Sequence, residues 1–170
     1  MMQTYLVMTV LGSDRPGLVS SLAATVAAHG GHWLESRMAR LAGQFAGIVR
    51  IECPAAGADA LLAALQAPGA TGFTVVAARE EVAEQAARRT LVVDVVGNDR
   101  PGIVRELSAA VASAGGNIEE LTTGLESAPM SGHPMFRAHG VVSIPEDTKT
   151  EVLIAAIECL GGDLTVDLSV

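Results

Sequence analysis

The stretch Gly12-Ser13-Asp14-Arg15-Pro16-Gly17-Leu18-Val19 returns as Gly97-Asn98-Asp99-Arg100-Pro101-Gly102-Ile103-Val104, 85 positions further along the chain. Carried through Gly31 and Gly116, the same offset gives twelve identical residues in twenty aligned positions, more than a shared richness in Ala and Val supplies. Self-similarity at a fixed period marks a duplicated structural unit. Each copy of the stretch follows an apolar run, Tyr5 to Leu11 or Leu91 to Val96. A Gly lets the chain turn, and Pro16 suits the first turn of a helix, where its missing N–H would be unpaired in any case. The residue before a proline avoids helical angles, which puts Arg15 outside the helix and Gly17 just inside it. Strand, tight loop and helix start therefore meet here. Gly17 leaves the first-turn amides uncovered, and such amides at the positive end of a helix dipole form an anion site suited to the carboxylate of an amino acid. Asp14 would then accept the ammonium. The competing reading is that Ser13 or Asp14 caps those amides and the loop is only a turn.

A chain of 170 residues fits one large or two small domains, and the repeat decides for two. Residues 1–80 form the first unit, 81–89 a charged linker and 90–170 the second. With 49% hydrophobic but only 3% aromatic residues, the cores are built from Ala, Val, Leu and Ile. A unit of about 85 residues buries only just enough surface to fold alone, so association would help both. A formal charge of -8, from eleven Lys and Arg against nineteen acids, argues against a surface that neutralises phosphates, and direct nucleic-acid binding is not expected. No charged-then-apolar leader opens the chain and no apolar run approaches the roughly 18 residues a membrane span needs, so the expected setting is the cytoplasm, with no membrane. Cys53 and Cys159 occupy unrelated repeat positions and read as buried thiols.

Taken in order, Tyr5 to Leu11 reads as a strand inside a sheet and Pro16 to His29 as a helix, with Leu18, Leu22 and Val26 at helical spacing and Gly30-Gly31 ending it. Trp33 to Leu41 alternates, with Trp33, Glu35 and Arg37 on one side and Leu34, Ser36 and Met38 on the other, but neither face is clean. Ala42-Gly43 turns the chain into Phe45 to Cys53, a hairpin. Asp59 to Gln66 is a short helix and Gly72 to Ala78 a last strand. The second unit repeats this β-α-β-β-α-β order, with helices at Pro101 to Ala114 and Thr148 to Leu160. Phe45 and Pro54 match Phe136 and Pro145 at an offset of 91, so the second copy carries six extra residues within the 127–134 hairpin loop. Right-handed crossovers then place both helices of each unit on one face of a four-stranded antiparallel sheet, an α+β, ferredoxin-like fold. The other face and the edges need partners, and edge-to-edge pairing or stacked sheets in a homo-oligomer would supply them.

With this order, the G-x-D-R-P-G-[LI]-V loop in both copies and Gly115-Gly116-Asn117-Ile118-Glu119-Glu120 after the second, the sequence resembles the ACT domain family along nearly the whole of both units. The resemblance implies a regulatory module that binds a small ligand, often an amino acid, at domain interfaces through the first strand-to-helix loop. Two such domains and nothing else resemble the glycine cleavage system transcriptional repressor group, which is understood to act through a partner transcription factor. By that likeness Asp14 and Asp99 stand where amino-acid-binding members use a polar side chain. Asn117 stands at the family's second polar position, where the first copy has His32. The candidate ligand-binding residues are thus Gly12, Ser13, Asp14, Arg15, Pro16, Gly17 and His32 in the first unit, and Gly97, Asn98, Asp99, Arg100, Pro101, Gly102 and Asn117 in the second. The implied ligand is glycine or serine, the implied partner a regulatory protein of amino-acid metabolism, and no cofactor is implied. The alternative is a constitutive assembly module that binds nothing.

Chemistry of other kinds finds little support. No nucleophile stands beside a base, the glycines complete neither a G-x-G-x-x-G nor a P-loop with its Lys, and both units are accounted for without a catalytic part. His29, His32, His133, His139 and Cys159 show no metal-ligand spacing. Arg37, Arg40 and Arg50 could cluster on the first hairpin as solvated surface or as a patch for an acidic partner. Exposed Met130 and Met135 in the extension read either as a partner-contact loop or as a hairpin tip. No helix-turn-helix is visible, because each Gly-Gly leads into a strand.

Overall fold

The computed structural model describes residues 2–81, 86–127 and 133–169. Residues 82–85 of the charged linker and 128–132 of the second hairpin loop, with Met130, lie outside the described residues. The chain divides into two compact units, 1–83 and 84–170. The first contains β1 (Gln3–Ser13), α1 (Leu18–Ala28), β2 (His32–Leu41), β3 (Gln44–Pro54), α2 (Ala58–Gln66) and β4 (Thr74–Arg79). The second repeats it as β5 (Arg88–Asn98), α3 (Ile103–Ser113), β6 (Asn117–Ser127), β7 (Pro134–Pro145), α4 (Thr150–Glu158) and β8 (Thr165–Ser169). The sheets run β2-β3-β1-β4 and β6-β7-β5-β8, with every pairing antiparallel.

The strands outrun their apolar stretches because hairpin pairing carries them on: β1 pairs with β3 from Gln3↔Pro54 to Ser13↔Gln44. Likewise β5 begins at Arg88, inside the span read as linker, since Arg88 pairs with Pro145 and its guanidinium donates to the carbonyls of Gly115 and Ser143, both at 2.8 Å. In β1 the alternation buries Leu6, Met8 and Val10 completely, against Leu22 of α1 and Leu61 and Leu65 of α2. In β5, Leu91, Val93 and Val95 meet Leu107 and Val111 of α3 and Leu153 and Ile157 of α4. Each such side chain contributes on the order of 1.5–3 kcal/mol by leaving water.

Three expectations need correction. Both first helices begin two residues later than Pro16 and Pro101. Gly17 and Gly102 sit at φ 86 and φ 87, in left-handed conformation, and precede the helix as its cap. A turn closes there first, with the Ile103 N–H donating to the Arg100 carbonyl at 3.4 Å, and no α-helix can include such a glycine. Second, a bulge between Trp33 and Glu35 slips the side-chain alternation of β2, so that Trp33 is half-buried together with Ser36 and Met38 while Leu34, Glu35 and Arg37 are exposed. Third, only Cys53 is buried; Cys159 lies at the exposed end of α4, off the stripe that buries Leu153 and Ile157.

The Gly-Gly pairs end α1 and α3 as expected. Gly31 and Gly116 donate to the carbonyls of Val26 and Val111, each at 2.9 Å, and Gly30 and Gly115 take positive φ, the two marks of a Schellman termination. The faces turned away from the helices differ between units. One cross-strand row reads Arg37, Ile48, Thr9, Val76 in the first and Thr122, His139, Asp94, Asp167 in the second.

Two substitutions test this backbone. A Cβ on Gly116 would stand 2.7 Å from Val111 Cγ1 and 2.8 Å from the Val111 carbonyl oxygen, so Gly116→Ala should lose about 1–3 kcal/mol in urea unfolding. Ala42 at φ 48 is a non-glycine residue with left-handed angles in the β2–β3 turn. Ala42→Asn should raise stability by about 0.5–1 kcal/mol, and a loss would refute the strain.

Candidate functional site

In the first unit the loop from Ser13 to Gly17 is pinned at one end, where the Asp14 N–H donates to the Gly43 carbonyl at 2.9 Å, and enters a helix whose ladder starts with Ser21 N–H to the Gly17 carbonyl at 2.9 Å. No side chain caps α1. Asp14 accepts instead from Arg40 Nε at 2.7 Å. The reading in which Ser13 or Asp14 only caps the helix is therefore not what forms. Gly12 is small because a Cβ there would stand 3.1 Å from both the Gly72 carbonyl and the Phe73 ring. The Arg15 guanidinium lies against Gly72, and Arg15 has no hydrogen bond or ion pair among the described residues. An open cleft of 240 Å³ is bordered by Asp14, Arg15, Gly17, Val19, Ser20 and Phe45. A more open depression of 550 Å³, also bordered by Arg15, reaches Gly12, Ser13, Gln44 and Gly72.

The second loop keeps the backbone and changes the charges. The Asp99 N–H donates to the Pro134 carbonyl at 3.2 Å, and the Asn98 N–H to Asp163 Oδ2 at 3.1 Å. Arg100 pairs with Glu106 of the first turn of α3 at 2.6 Å and donates to the Leu160 carbonyl at 3.1 Å. The hydrogen bond with Glu106 raises the Arg100 pKa and holds the Glu106 carboxyl below its ordinary value. The Asp99 side chain has no partner among the described residues. Glu106, Asp163 and Arg40 were not singled out for this site from sequence; comparing the repeats off the motif, Glu106 against Ser21 and Asp163 against Gly72, would have found the first two.

The structure does not bring His32 or Asn117 to the loop of its own unit. His32 is level with Glu52 and Tyr5, and Asn117 with Ser143 and Thr90, each eight residues up the central strand from the loop. At about 3.4 Å per residue that is roughly 27 Å. Asn117 Nδ2 donates to Glu119 at 3.0 Å, Ser143 Oγ donates to the same oxygen at 2.6 Å, and Arg88 Nε donates to Ser143 Oγ at 3.0 Å. The Ser143 and Asn117 donors hold the Glu119 carboxyl below its ordinary value.

The supposed basic cluster resolves into separate pairs. Arg40 meets Asp14, while Arg50 meets Glu80 at 2.9 Å and Glu35 at 3.6 Å and lies 4.7 Å over the Tyr5 ring; Arg37 is engaged as well. His29 Nδ1 bonds the Thr25 carbonyl, and His139 meets Asp94 at 2.9 Å. Among the described residues no three His, Cys, Asp or Glu side chains are grouped to hold a metal, and no helix is long and apolar enough to cross a membrane.

Because Glu106 and Glu119 have folded pKa values below their unfolded ones, the stability they contribute is complete above the ordinary Glu range near 4.5 and is lost as pH falls through the folded values. Unfolding between about pH 5 and pH 3 should therefore be less pH-dependent in Glu106→Gln and Glu119→Gln than in the wild type. Equal slopes would remove these carboxylates from the acid response.

The family profile described as the ACT domain matches residues 4–76 and again 89–170. No curated protein matches the chain. The crystal structure of an unknown protein from Galdieria sulphuraria is 30% identical, with a TM-score of 0.80, over 99% of this chain and 98% of that one. A crystal structure attributed to a glycine cleavage system transcriptional repressor is similar in fold, with a TM-score of 0.70 at 18% identity over 99% and 98% of the two chains. Two profile matches in register with the repeat, on two sheets of the same strand order, establish that this chain belongs to the ACT domain family, with one domain in each half.

Proposed function

We propose that the chain is a non-enzymatic, cytoplasmic regulator that binds a free amino acid at its first strand-to-helix loops and thereby alters its affinity for a partner protein, such as a transcription factor of amino-acid metabolism. The observation that carries this reading is the first loop itself, where Arg15, without a partner among the described residues, borders two open depressions, and uncapped helix amides stand beside the Asp14 carboxylate that Arg40 engages. A zwitterion matches that set: its carboxylate would meet the amides after Pro16 or Pro101, and its ammonium Asp14 or Asp99. His32 and Asn117 enter this reading only as contributions from a different domain copy, given their distance from their own loops. Glycine and serine are the first ligands to try, by analogy with the repressor whose fold is similar. Regulation further requires that the ligand bind two arrangements of the protein unequally.

A second reading, constitutive assembly, is favoured by the apolar side chains Leu11, Ile48 and Val76, which are 49%, 54% and 67% exposed. A thermal-shift screen against the twenty amino acids separates the two. A ligand present at a hundred times its Kd adds about 2.7 kcal/mol to the native state, so one or a few amino acids should raise the melting temperature selectively. Asp14→Ala should then weaken calorimetric binding by about 1.5–3 kcal/mol without unfolding the protein. If none of the twenty shifts the transition, the ligand reading is lost and assembly stands.

A further inference from the structure

The two DRPG loops are copies in backbone and opposites in electrostatics. At the first, Asp14 is already engaged by Arg40, and Arg15 has no partner among the described residues. At the second, Arg100 is already engaged by Glu106, and the Asp99 side chain has no partner among the described residues. Three substitutions between the repeats produce this inversion. Arg40 corresponds to Leu125, which removes the cation that holds the first aspartate; Ser21 corresponds to Glu106 and Gly72 to Asp163, which add two carboxylates around the second arginine. One further change, Ser20 to Arg105, adds a cation on the exposed side of α3, and its charge acts on Glu106. The first loop thus holds two guanidinium groups against one carboxylate, and the second holds two against three.

We propose that carboxylate recognition belongs to the first loop alone, through Arg15, and that Glu106 is a built-in carboxylate that closes the second loop to such ligands. This rests on the amino-acid reading of the loops for its biological meaning, and on the ion pairs for its chemistry. The Arg100–Glu106 contact at 2.6 Å, reinforced by the Leu160 carbonyl, commits the guanidinium within the domain. An incoming carboxylate would have to displace a tethered one, whose effective concentration exceeds that of a free ligand. Arg15 borders the 240 Å³ cleft and also the neighbouring depression, where its guanidinium rests on Gly72, and it meets no such competitor among the described residues. One carboxylate site per chain follows, in place of the two that the repeated motif suggests.

Sodium acetate tests this without any amino acid. In an amide-resolved NMR titration of the full chain at constant ionic strength, the amides of Gly17, Leu18, Val19 and Ser20 should shift and saturate, whereas those of Gly102, Ile103, Val104 and Arg105 should not. Arg15→Gln should abolish the first response. Glu106→Ser, which restores the residue type of the first repeat, should create the second, and Glu106→Gln, which keeps shape and loses charge, should do so too. Equal responses at both loops of the wild type, a response at the second loop alone, or none at either overturns the proposal. Acetate binding at the first loop with no response to any amino acid would instead count against the ligand reading and leave the asymmetry standing.

Discussion

Each domain depends on the chain leaving a central strand and entering a helix within four residues, which it does through a glycine at φ 86 or φ 87. That angle costs any residue with a Cβ roughly 1–2 kcal/mol, and the preceding proline fixes the other half of the turn. The remainder follows from where the helix is released. Leu18 is its first residue and is buried, so Leu22 and Val26 continue the stripe over Leu6, Met8 and Val10. Gly30 and Gly31 then turn the chain back to the sheet edge where β2 pairs with β3. The same turn holds Asp14 and Arg15 outside the helix, in solvent. Site and scaffold share one backbone device.

The fold was legible because its signals are local and occur twice. The apolar runs, the Pro-Gly turns and the Gly-Gly terminations each specify one junction, and the repeat removed the ambiguity of either copy alone. What was not legible depended on pairing across the sheet. The bulge at Leu34 confused the alternation of β2 because periodicity carries no mark of an inserted residue. Arg88 and Arg89 read as linker since charge suggests solvent, whereas Arg88 in fact satisfies two carbonyls and a hydroxyl. At the loops the motif residues were found and their availability was not. Whether an Asp or an Arg is free depends on Arg40 and Glu106, 26 and 6 positions away in sequence from the groups they engage.

The duplication kept part of the interior and diverged more where charge meets water. Leu22 and Leu107, Val26 and Val111, and Gly31 and Gly116 are unchanged between copies, while Met8 and Val93, or Cys53 and Ile144, exchange one apolar side chain for another. Arg40 and Leu125, and Ser21 and Glu106, differ at solvent-facing positions, whereas Gly72, at φ 77 and against Arg15, leaves no room for the side chain that Asp163 carries in the second copy. Surface positions of that kind are the ones a duplicated domain can alter while both copies still fold.

The unlike outer rows of the two sheets also limit how copies can associate. Were the apolar row of one molecule, with Ile48, Thr9 and Val76, to meet the polar row of the next, it would strip water from Asp94, His139 and Asp167 with nothing to replace it. A head-to-tail contact of that kind closes into a ring if its rotation allows and propagates otherwise. A like-with-like contact between apolar rows carries no such penalty and closes on itself about a two-fold axis. The cost of association on these faces thus differs with the pairing: like apolar rows leave no buried charge unpaired, whereas unlike rows do.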